Sequence, residues 1–161
     1  MKKAKDLSEL LTEQLRKLYS AEQQQLAVVP TLSVKAYSPD LRNVLHDYRK
    51  TKSKNIDRIN QCFDELDIFQ KYGRCEVIEE LTEDCKKALG YSAEQHVADA
   101  ALVATMQQIN HFNIAGYGTA SSYARALQKE RVARILHDTL LDEKIMDENL
   151  SRIAEESINP A

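Results

Sequence analysis

The stretch "INHFNIAGYGTASSYA", Ile109 to Ala124, decides how the rest of the chain is read. Apolar and small residues recur in it at three- and four-residue spacing, the period of one helix face. With Val103 and Met106 ahead of it, the ridge runs Val103, Met106, Asn110, Asn113, Tyr117, Ala120, Ala124. Two of those seven residues are asparagines, whose amides compete for the backbone. Gly116 and Gly118 sit within it, and a glycine weakens a helix interior by about 0.5–1 kcal/mol relative to alanine. The spacing therefore predicts a helix that its own residue types disfavour. Something other than local propensity must place amides and glycines at its centre.

Outward from this stretch the same period holds almost throughout. A first long helix is expected over 6–35, with Leu11, Leu15, Leu18, Glu22, Leu26 and Val29 as its ridge and Pro30 kinking it or ending its regular part. "YSPDL" is a restart signal: Ser38 as N-cap, Pro39 at the first helical position and Asp40 in the first turn. The second helix is expected over 38–69, with Leu41, Leu45, Tyr48, Ile56, Ile59 and Phe63 inward. "QKYGR" breaks the pattern at Gly73. A short helix over 75–89 should end at Gly90, and Ser92 should cap the next. Two more long helices follow over 92–127 and 130–156, the end of the chain fraying. Two short links and one long one give antiparallel hairpins joined by a crossover. That is an all-α, ferritin-like four-helix bundle with a short extra helix in the long connection, one domain over 1–161.

Composition agrees. The chain has 161 residues, few glycines and prolines, and no tryptophan, as in all-helical proteins. A formal net charge of −3 gives no electrostatic footprint for nucleic acid. Cys62, Cys75 and Cys85 form no CxxC, and an odd number cannot all pair, which fits a reducing compartment and structural thiols. No signal-peptide pattern or membrane-length apolar run is read. The expectation is a soluble cytoplasmic protein without a nucleic-acid or membrane partner.

Polar residues on the inward ridges carry the functional information, because burying a polar group without a partner is costly. Glu22 interrupts the first ridge. Glu143 and Asp147 are four apart on the last helix and share a face there. His111 lies about 100° off the Asn110–Asn113 ridge. On the second helix a stripe reads His46, Lys50, Ser53, Asp57. Carboxylates from two helices near mid-bundle suggest a carboxylate-bridged metal centre, and hard oxygen ligands with imidazole suit iron or manganese. Yet the sequence contains no Glu-x-x-His. A metal site and a layer of paired polar side chains both stay open from spacing alone.

"LYSAEQQQL", "SPDL", "CEVIEELTED", "DAALVATMQQINHFNIAGYGTA" and "TLLDEKIMDENL" resemble the YciE/YciF family of bacterial ferritin-like proteins over nearly the whole chain. The resemblance implies a ferritin-like bundle, commonly dimeric, linked to stress responses, with a presumed di-metal site. Glu22 matches the glutamate of the first helix. Where the family resembles "HLEETHGQ" this chain reads "YRKTKSKN", so Lys50, Thr51 and Ser53 replace acidic or histidine positions. Where the family resembles "VEHYEIASYGT" this chain keeps His111 but has Asn110 and Asn113 in place of carboxylates. Glu143 and Asp147 match "EEKATD".

The resemblance thus leaves Glu22, His111, Glu143 and Asp147 as vestigial ligands. Lys50, Ser53, Asn110 and Asn113 stand where the other ligands would be. Lys50 either supplies the missing positive charge or snorkels to solvent, and Asn110 and Asn113 donate hydrogen bonds to the remaining acids. Tyr19 and Tyr117 are read as packing residues with hydroxyl partners. The expectation is a non-catalytic, stress-associated bundle, a homodimer without cofactor. The alternative is an iron- or manganese-binding oxidase or ferroxidase with a reduced site.

Overall fold

The computed structural model describes residues 4–71, 73–91 and 94–160. Five α-helices follow one another: α1 Leu7–Ser33, α2 Pro39–Glu65, α3 Glu76–Tyr91, α4 Gln95–Ala126 and α5 Glu130–Ile153. A π-helical turn, Ala154–Ile158, continues α5 and buries Ile158, so this end packs rather than frays.

The ends follow from local chemistry. Asp6 caps α1 by accepting from the Glu9 amide at 2.9 Å. Ser38 caps α2, with Pro39 in the first turn, as "YSPDL" predicts. The buried Asp99 carboxylate of α4 reaches over to the same point and accepts from the Tyr37 and Ser38 amides at 2.8 and 2.7 Å. α2 ends at Glu65, four residues before the expected Phe69, because Asp67 turns left-handed (φ 51°) and lets the Ile68 amide reach the Phe63 carbonyl. Gln128 (φ 57°) closes α4 likewise, with the Lys129 amide on the Ala124 carbonyl. Both are Schellman ends built without glycine. Pro30 does not end α1, which runs on to Ser33. Gly90 lies inside α3, one residue before its end. Ser92, the expected cap of the fourth helix, lies outside the described residues.

The four long helices form a bundle in which α1 packs on α2, α2 on α5, α5 on α4 and α4 on α1. Cross-helix bonds fix the directions. Glu22 meets Asn55 while Gln25 meets Tyr48, so α1 and α2 are antiparallel. Asn110 meets Glu143 while Ser121 meets Ala133, so α4 and α5 are too. α2 and α5 are also antiparallel, Lys52 meeting Glu143 while Glu65 meets Arg131. Hence α2 and α4 run parallel, and their connection must cross the length of the bundle. α3 lies in that crossover, packed on α4 and α1.

The core has two main apolar parts, and a smaller cluster of Ala21, Cys75, Ile78 and Ile109 where α3 packs on α1 and α4. One holds Val29, Leu32, Leu41, Leu45, Leu102, Met106 and Leu150, with Ile153 and Ile158. The other holds Leu11, Leu15, Leu18, Ile59, Phe63, Tyr117, Val132 and Leu136. Fully buried polar residues lie between them: Glu22, Gln25, Lys52, Asn55, Asn110, Asn113 and Glu143.

Candidate functional site

Each long helix contributes to this polar layer through an alternating four- and three-residue step. On α1 the buried sequence is Leu15, Leu18, Glu22, Gln25, Val29. On α2 it is Leu45, Tyr48, Lys52, Asn55, Ile59. On α4 it is Met106, Asn110, Asn113, Tyr117, and on α5 Thr139, Glu143, Met146, Leu150.

At the centre the Lys52 ammonium lies 2.6 Å from Glu143 Oε1 and 3.4 Å from Glu22 Oε2, all three side chains being fully enclosed. It also stands 4.6 Å from the centroid of the Tyr48 ring, within cation–π range. Glu143 accepts from Lys52 and Asn55 on one oxygen, and from Asn110 (2.7 Å) and Asn113 (3.2 Å) on the other. Glu22 Oε1 accepts from the Tyr117 hydroxyl at 2.7 Å and from Asn55 at 3.1 Å. A second ring of bonds ties the layer outward. Tyr48 donates to Gln25 Oε1 at 2.7 Å, and Gln25 and Asn113 bond each other through both amide atoms.

The two carboxylates are therefore unequal. Charge-assisted hydrogen bonds are worth roughly 1.5–3 kcal/mol each, and Glu143 receives them on both oxygens. Glu22 Oε2 accepts none from the protein. Burial pushes the Glu22 carboxyl up to about 7, Glu143 adding to the rise while Lys52, Tyr117 and Asn55 pull against it. Burial by itself would lower Lys52, but Glu143 and Glu22 outweigh it and hold the ammonium above the ordinary lysine range. Burial also raises the Tyr48 and Tyr117 phenols, which stay neutral donors. With both acids ionised the triad carries one net negative charge. One proton on Glu22 removes it.

Several expected positions move. Lys50 is not in the core: it is two-thirds exposed and pairs with Asp47 at 3.5 Å on its own helix. Ser53 is exposed as well. The steps from Tyr48 reach 52 and 55, so the stripe through 46, 50, 53 and 57 points to solvent. Asp147 is four residues from Glu143, but the inward step there is three, and Met146 takes the place. Asp147 turns to the α4 side, where His111, 64% exposed, approaches it with Nε2 at 3.0 Å from Oδ1. His111 and Asp147 thus pair between α4 and α5, His111 exposed and Asp147 largely buried. Glu22, Glu143, Asn110 and Asn113 do come together. Lys52, Asn55, Gln25 and the Tyr48 hydroxyl escaped the sequence reading. For Lys52 and Asn55 the signal was the gap between Tyr48 and Ile56 on the α2 ridge, where the period demands an inward residue at 52.

These residues do not fit a di-metal centre. Two divalent ions need several anionic ligands, while the layer offers two glutamates and neutral amides. An ammonium already stands between the carboxylates. Among the described residues no group of three His, Cys, Asp or Glu side chains is disposed to hold a metal ion. The cysteines add no reactive centre. All three are buried, and burial with Glu65 nearby pushes the Cys62 thiol up to about 12.

A four-helix bundle with a crossover helix and a buried charged layer defines the class. The profile described as "Domain of unknown function (DUF892)" matches residues 6–161, and the chain belongs to that family, the YciF type. It is 29% identical to Protein YciF of Escherichia coli (strain K12) over 156 residues, covering 96% of this chain and 94% of that protein. The crystal structure of the E. coli stress protein YciF superposes with a TM-score of 0.93 at 28% identity, covering 98% of this chain and all of the other. YcfI of Rhodopseudomonas palustris, described as a putative structural protein, gives 0.88 at 31% identity over 91% of this chain and 94% of the other. No described helix is long and apolar enough to cross a membrane.

Proposed function

We propose that this protein is a non-catalytic member of the family, a stress-associated structural bundle whose acidic centre is neutralised from within. One observation carries the reading: the Lys52 ammonium lies within bonding distance of Glu143 and beside Glu22, inside the bundle. A side chain there does the electrostatic work that the resemblance assigns to metal ions, without positions open to substrate or oxygen. The stress association rests on the description of the E. coli relative. The reading extends to a homodimer, as the resemblance implies, in the reducing cytoplasm that the cysteine usage suits. Light scattering on the purified protein should then give twice the 18.3 kDa chain mass.

The test is metal loading. Elemental analysis after incubation with iron(II) or manganese(II) should find less than stoichiometric metal. The melting temperature should ignore both ions, since an ion bound to the native state must raise it. A tightly held stoichiometric metal would replace this reading with the iron- or manganese-dependent oxidase.

A further inference from the structure

Lys52 and Glu143 meet in an arrangement that an ion pair alone does not require. Nζ lies 2.6 Å from Glu143 Oε1, and both side chains are fully enclosed. The other oxygen of Glu143 receives two amide N–H donors, Asn110 at 2.7 Å and Asn113 at 3.2 Å. Glu22 Oε2 faces the ammonium at 3.4 Å and accepts no hydrogen bond from the protein. Asn55 donates to one oxygen of each glutamate, at 3.1 and 2.6 Å, and holds the two carboxyl groups side by side. An amine, a carboxyl carbon, paired donors for a developing oxyanion and an acid–base group thus share one water-excluded site.

We propose that Lys52 and Glu143 condense slowly in the folded protein into an isopeptide bond, a self-made cross-link between α2 and α5. It presupposes the internal ion pair of the reading above, which is its starting state, and it turns over no substrate. One ammonium proton passes along the short bond to Glu143 Oε1, leaving an amine beside a carboxylic acid. The amine lone pair then adds to Glu143 Cδ, forming the N–C bond, and negative charge gathers on Oε2 under the Asn110 and Asn113 amides. Glu22 Oε2 takes a second proton from the nitrogen and relays it to Oε1. The Cδ–Oε1 bond breaks, water leaves, and Glu22 is a carboxylate again. The third proton stays as the amide N–H, so no oxidant or other reactant is needed. Burial favours the product: an enclosed ion pair carries a desolvation penalty that a neutral amide avoids, and the water is released to solvent.

Intact-mass spectrometry of the denatured full-length protein follows the reaction, on fresh protein and on samples held folded below the melting temperature. A species lighter by one water should grow with time. Peptide mapping should join the segments that carry residues 52 and 143, with no tryptic cut after Lys52. Parent protein kept unfolded in guanidinium should hold its full mass. So should Lys52→Arg, which keeps a cation but no nucleophilic amine. Glu22→Gln, checked as folded by circular dichroism, lacks the relay and should close at least about a hundredfold more slowly. Parent protein that keeps its full mass through prolonged folded incubation overturns the cross-link and leaves the ion pair standing. A water loss that maps to other residues, or that Lys52→Arg or unfolded parent shows equally, overturns it too. Closure of Glu22→Gln at the parent's rate overturns the relay. Stoichiometric metal in the parent would instead overturn the proposed function, so the two failures are distinct.

Discussion

Replacing Lys52 by methionine keeps most of the side chain's length and apolar stem and removes only its charge. In the folded protein that charge is fully enclosed, 2.6 Å from one carboxylate oxygen and 3.4 Å from another. Taking one partner from a buried pair costs about 3–5 kcal/mol, because it strands the other charge in a medium that cannot solvate it. Here two carboxylates are stranded, and Glu143 keeps only neutral amide donors. The variant can relieve the repulsion by binding protons, so its deficit should be largest near neutrality and shrink towards about pH 5. In a chain of this size each kcal/mol moves the melting temperature by roughly 2–4 °C, so a loss of roughly 6–20 °C is expected at pH 7. Urea unfolding of parent, Lys52→Met and Lys50→Met, followed by circular dichroism at three pH values, measures it. Lys50 pairs with Asp47 in solvent, both two-thirds exposed, and its loss should cost less than about 0.5 kcal/mol. The reasoning fails if Lys52→Met stays within about 1 kcal/mol of the parent at pH 7. It fails equally if the deficit does not depend on pH, or if Lys50→Met costs as much.

Glu22 supplies a pH dependence of the opposite sign to ordinary acid denaturation. Its native value of about 7 exceeds the ordinary 4.5 of a solvated glutamate, so between those limits the native state binds more protons and stability falls as pH rises, by up to about 3 kcal/mol. Glu22→Gln, which mimics the protonated form, should flatten urea-unfolding stability across that window and be more stable than the parent near pH 8. The glycines of α4 should separate. A Cβ on Gly116 would lie 2.7 Å from Leu18 Cδ2 inside the core, whereas one on Gly118 meets only Leu140 Cδ2 at 3.9 Å. Gly116→Ala should therefore destabilise by about 1 kcal/mol or more, and Gly118→Ala should stabilise by about 0.5–1 kcal/mol through helix propensity, both read by thermal melting. Asp99→Ala removes both bonds to the Tyr37 and Ser38 amides and should cost about 1.5–3 kcal/mol. Asp99→Asn, with one acceptor left, should recover part of that in the same melt.

The bundle was legible because amphipathic period and turn chemistry are local. "YSPDL" marks the start of α2 within its own five residues, and the link lengths set which helices pair. The polar layer was half legible. Glu22, Asn110, Asn113 and Glu143 interrupt ridges whose phase their leucine and tyrosine neighbours fix. Lys52 and Asn55 lie in a stretch, "YRKTKSKN", with no apolar residue between Tyr48 and Ile56 to set the phase. A drift of two residues there moves a side chain from core to solvent. Residue type gave the wrong cue too, since lysine is almost never fully buried unless paired. The pairing that licenses it comes from α1 and α5, far away in sequence. Asp147 failed for a related reason: four residues and three residues both keep a helix face, and only packing against α4 chooses between them.

The division of the core by a charged layer also sets how the helices align lengthwise. The two apolar halves are lined by leucines at near-equal intervals, and leucines tolerate sliding past one another. The layer does not. If α1 slipped by one turn, Leu18 or Leu26 would stand where Glu22 now receives the Tyr117 hydroxyl and faces Lys52. An ammonium would then face hydrocarbon, a far larger loss than any leucine contact could offset. Like a buried asparagine in a coiled coil, the layer works as a detent. It leaves this bundle one setting among the several that its apolar surfaces alone would accept.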